Sequence, residues 1–115
     1  MTKDFRVYLD DIITSINSIT KYIQGKSKED FDLDEEVQDA VIRRLEIIGE
    51  AVKRLPQEFR DQHPEVKWKG ATGMRDVLIH MYDEVDTTQV WLTITEVLPP
   101  FKVQIQEILK QLEKN

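Results

Sequence analysis

Phe5, Leu9, Ile12, Ile16, Ile19 and Ile23 recur at alternating intervals of four and three. That spacing gathers side chains into one stripe on an α-helix and scatters them over both faces of a strand. The stripe predicts a helix over residues 3–24, and because a one-sided apolar stripe needs a partner, it also predicts that other helices cover it. A second stripe follows in Val37, Val41, Leu45, Ile48, Val52 and Leu55. Between the two, "QGKSKEDFDLD" interrupts the period with Gly25 and turn-forming residues. Asp32 or Asp34 can cap the second helix, and Glu35 and Glu36 suit its positive N-terminal end.

Pro56 ends the second helix or opens a short one, since proline lacks an amide hydrogen and is tolerated only in a first turn. "PQEFRDQHPEV" reads as a short helical turn closed by Pro64. A third main helix is expected from Trp68 to about Tyr82, with Gly70 and Gly73 lowering its intrinsic propensity by about 1 kcal/mol each relative to alanine. Asp86 or Thr87 can cap a fourth helix bearing Val90, Trp91, Ile94, Val97 and Leu98. Pro99 and Pro100 then open a fifth with Phe101, Ile105, Ile108 and Leu112 on its buried side. The expected fold is therefore all-α, an antiparallel helical bundle of four to five helices, formed by residues 1–115 as one domain. Ile42 and Ile47 lie off the second stripe, so that helix carries more apolar surface than one partner covers, and a dimer contact is one way to use it.

Charge and composition narrow the function classes. The formal net charge of -6 argues against binding nucleic acid through an overall positive field, because phosphate affinity comes from clustered Lys and Arg. Any RNA must be held locally, and Arg43, Arg44, Lys53 and Arg54 in one segment and Lys67, Lys69 and Arg75 in the next are the available clusters. Their plainer reading is a solvated helix face. The sequence contains no cysteine, which excludes disulfides, thiolate catalysis and cysteine-type zinc sites. No apolar run is long enough to span a bilayer, and "MTKDFRVYLDD" lacks the apolar centre of a signal peptide, so a soluble cytoplasmic protein with no membrane partner is expected.

The chemistry concentrates in "GMRDVLIHMYDEVD", residues 73–86. Arg75 offers a permanently charged planar fork suited to a phosphate. His80 is the side chain best placed to give and take a proton near neutral pH. Together they suffice for phosphoryl chemistry without a metal or cofactor. On one straight helix Arg75 and Tyr82 fall within roughly 20° of each other, while Arg75 and His80 are roughly 140° apart. Convergence then needs a distortion near His80 or a second copy of the helix from a symmetric partner. The bland alternative is a dipole-favoured His80 near a helix end, Arg75 paired with nearby acids and a half-buried Tyr82. Asp83, Glu84 and Asp86 lie close to His80, but with no second histidine in register no metal site is expected. His63, before Pro64, reads as exposed and inert. Glu46 and Glu50 read as surface partners of Arg43 and Lys53. Nucleophile-elbow and phosphate-loop motifs are absent from the sequence.

"RDVLIHMY" also fits the R-x4-H-x-Y motif of the HepT-like toxins of the HEPN superfamily. "RRLEIIGEAVKRLP", "HPEVKWKGATGMRD" and "VWLTITEVLPPF" resemble that family on either side of the motif. The resemblance implies a HEPN-like helical homodimer whose two motif helices line one cleft, acting as a metal-independent endoribonuclease in a type VII toxin–antitoxin system. In that reading Arg75 holds the scissile phosphate and His80 moves protons during attack by the ribose 2′-hydroxyl. The implied partner is a nucleotidyltransferase antitoxin of the MNT type that transfers AMP onto Tyr82, blocking the cleft with a bulky anion. Glu50 and Arg43 are possible cleft supports. The competing expectation is a non-catalytic nucleotide- or substrate-binding subunit of a nucleotidyltransferase complex.

Overall fold

The computed structural model describes residues 5–68 and 86–114, and all regular structure among them is helical. Helix α1 runs Arg6–Ile23 and buries Leu9, Ile12, Ile16 and Ile19, four members of the first apolar stripe. Phe5 and Ile23, at its two ends, are half-buried against the same core. The helix stops where Gly25 turns the chain with φ 74°, in the left-handed region that glycine enters without a Cβ penalty.

The segment read as a simple break contains a five-residue helix, α2, Lys28–Asp32. Its signature is a capping box: Ser27 Oγ accepts from the Asp30 amide at 3.1 Å, and the Asp30 carboxylate accepts from the Ser27 amide at 3.0 Å. One fully buried residue, Phe31, anchors it to the core. A single anchor generates no period, which is why a period-based reading passes over it. Gln38 Nε2 donates to the carbonyls of Phe31 at 2.8 Å and Asp32 at 3.1 Å, closing the C-terminal end of α2 from the helix that follows.

That helix, α3, spans Glu35–Arg54, and of the two capping alternatives the structure selects Asp34, whose carboxylate accepts from the Val37 amide at 3.2 Å. Val41, Leu45, Ile48, Val52 and Leu55 are buried against α1, and Ile42 and Ile47 are half-buried on its flanks. Pro56 then caps a second short helix, α4, Gln57–Asp61, which buries Phe59.

After Asp86 the chain forms α5, Thr87–Leu92, a π-helical turn over Thr93–Val97, and α6, Leu98–Glu113. The expected fourth and fifth helices are present but run into each other without a loop. The prolines explain the join. Pro99 and Pro100 supply no amide hydrogen, and in an α-helix their rings would press on the carbonyls of Thr95 and Glu96. The wider turn relieves that pressure, and the Leu98 amide reaches back five residues to the Thr93 carbonyl. Leu98, Phe101, Ile105 and Ile108 of α6 complete the core against α1.

Candidate functional site

Arg75, His80 and Tyr82 lie outside the described residues, as do Gly70, Gly73 and the expected third helix beyond Trp68. The structure describes the frame on either side of them. On the N-terminal side, α4 holds Phe59 between Phe5, with ring centroids 5.4 Å apart, and His63, at 5.0 Å. The turn after α4 folds back so that the Trp68 indole Nε1 donates to two carbonyls, Arg60 at 3.1 Å and His63 at 3.0 Å. The same ring stands edge-on to Phe101 at 6.1 Å and 89°, and Gln104 Nε2 donates to the Glu65 carbonyl at 2.9 Å. The chain is thus tied to α4 and α6 one residue before it leaves the described frame.

On the C-terminal side Asp86 caps α5, its carboxylate accepting from the Gln89 amide at 3.1 Å. The Asp86 carboxylate thus serves a helix end. The Asp32 carboxyl is held below the ordinary carboxylate value, first by a hydrogen bond from Lys28, at 2.7 Å, and then by one from Thr87. Phe31 and Trp91 pack in the same corner with centroids 5.4 Å apart and ring planes tilted by 43°. Trp68 is therefore fixed at the C-terminal end of α3 and Thr87 at its N-terminal end. Twenty residues of α3 separate them by roughly 30 Å of helix.

Arg43 and Glu50 both stand exposed on α3, two turns apart and within roughly 20° around the helix. Arg43 pairs with Glu46 at 3.6 Å, an exposed i,i+3 contact of the ordinary surface kind. His63 differs from its expectation: its side chain is only 17% exposed, stacked on Phe59 with Nδ1 3.5 Å from Glu65 Oε1. Sequence spacing gave no sign of this, because the packing comes from the turn that brings His63 back over α4.

Charge is unevenly placed along this frame. Residues 28–39 hold one lysine and seven carboxylates, which equals the chain's whole net charge of -6; the rest of the chain is balanced. The acidic excess sits on α2 and the first turns of α3, at the far end of α3 from Trp68. At the Trp68 end exposed Lys53, Arg54 and Lys67 stand with exposed Glu58, Asp61 and Glu65, so charge of both signs is mixed there.

Comparison with known proteins places residues 12–108 within the model of the family described as ribonuclease HepT-like. A putative RNase of Caldanaerobacter subterraneus is 44% identical over 92% of this chain and 95% of its own length. A probable ribonuclease HepT of Thermococcus cleftensis is 41% identical over 96% of this chain and 100% of its own. A gamma-glutamylcyclotransferase and putative RNase of Methanocaldococcus jannaschii is 44% identical over the whole chain, which spans 52% of that longer protein. No solved structure matches the chain.

Proposed function

Because the chain belongs to the HepT-like ribonuclease family, we propose that it is the endoribonuclease toxin of a toxin–antitoxin pair, acting in the cytoplasm as a homodimer of single-domain protomers. The observation that carries this is the R-x4-H-x-Y spacing of Arg75, His80 and Tyr82, inside the matched span and between flanks that the structure fixes through Trp68 and Asp86. Arg75 binds the scissile phosphate and offsets the charge that grows on its oxygens. His80 takes the proton of the adjacent 2′-hydroxyl as its oxygen bonds to phosphorus, the bond from phosphorus to the 5′-oxygen breaks, and that oxygen leaves with the proton that the His80 imidazolium gives back. No metal enters this scheme.

Control falls to Tyr82. A nucleotidyltransferase partner joins the phenolic oxygen to the α-phosphorus of ATP, pyrophosphate leaves, and the phenolic proton passes to a base. The resulting anion repels RNA at the site where Arg75 would hold it. Arg43 and Glu50 are proposed to support the cleft from α3.

The test is cleavage of total cellular RNA by the purified chain with chelator present, comparing wild type with Arg75→Ala and His80→Ala after both are shown to keep fold and oligomeric state. Wild type should cut, and each variant should lose at least about a hundredfold. Equal behaviour of all three would replace this reading with the nucleotide-binding subunit of a nucleotidyltransferase complex.

A further inference from the structure

We draw no further inference here: the strongest candidate, the surface patch at the α2–α3 junction where Leu33, 86% exposed, stands among the carboxylates of residues 28–39, is an acidic cluster around one apolar side chain, and nothing in the structure shows what covers it.

Discussion

Ser15 lies on the buried face of α1, 1% exposed, yet its Oγ has no hydrogen-bond partner among the described residues. Thr20, Thr93 and Thr95, by contrast, each donate to the carbonyl four residues back, at 3.0, 2.9 and 2.7 Å. A hydroxyl shut in an apolar interface without a bond costs free energy that an alanine methyl does not. Ser15→Ala should therefore leave the fold intact and stabilise it by up to about 1 kcal/mol in urea unfolding. A loss of that size would mean that the hydroxyl makes a bond after all. Ser15 and Arg60, whose buried Nε also lacks a partner among the described residues, share a reason for escaping a sequence reading: each is an ordinary residue type whose missing partner becomes visible only when its surroundings are assembled.

Among the elements, α2 depends most on electrostatics. The Asp30 carboxyl is held below the ordinary carboxylate value by its bonds from the Ser27 backbone and side chain, and Asp32 by Lys28 and then Thr87. A carboxyl whose folded value is depressed contributes stability that is present above its unfolded value and lost as pH falls through the folded one. The expected consequence is local loosening of α2 below about pH 4, before the α1–α3 core melts. The Phe31–Trp91 contact at 5.4 Å makes indole fluorescence a local reporter, although Trp68 also emits and a Trp68→Phe background isolates the signal. Asp30→Asn should remove the Asp30 share of the transition, whereas Ser27→Ala should remove only the smaller, side-chain part and keep the bond from the residue-27 amide. An unchanged acid transition in Asp30→Asn would show that the capping box does not control it. The long helices were legible for the opposite reason. Leu9, Ile12, Ile16 and Ile19, and Val41, Leu45, Ile48 and Val52, repeat over several turns, so burial imprints a period. Pro99 and Pro100 were legible as a helix start, but their sequence did not reveal that the preceding turn widens and stays helical.

At the scale of the whole molecule, Trp68 joins separate parts. It packs on Phe101 of α6, bonds to carbonyls of α4 and its turn, and stands at the edge of the segment that carries Arg75 and His80. Trp68→Phe keeps an aromatic edge and removes the indole bond at each of two carbonyls, which keep their bonds from the His63 and Val66 amides, so it should cost about 1 kcal/mol in thermal or urea unfolding. If this anchor positions the site, cleavage well below the melting temperature should fall by on the order of tenfold to a hundredfold, because small misplacements of catalytic groups are expensive. Unchanged cleavage in a destabilised variant would confine Trp68 to a structural role. What the sequence determined by itself was whatever repeats or is stated in residue type: the all-α class, the core faces of α1, α3 and α6, and the family, while the choice between the offered caps was left to the structure. Only the tertiary structure decided that Phe31 anchors a helix too short for a period, that His63 is packed, that the acidic excess and the Trp68 end stand at opposite ends of α3, and that Arg60 is left with an unmet donor. Periodicity is a local signal, summed over neighbours along the chain, whereas burial and hydrogen-bond satisfaction depend on residues that only folding brings together.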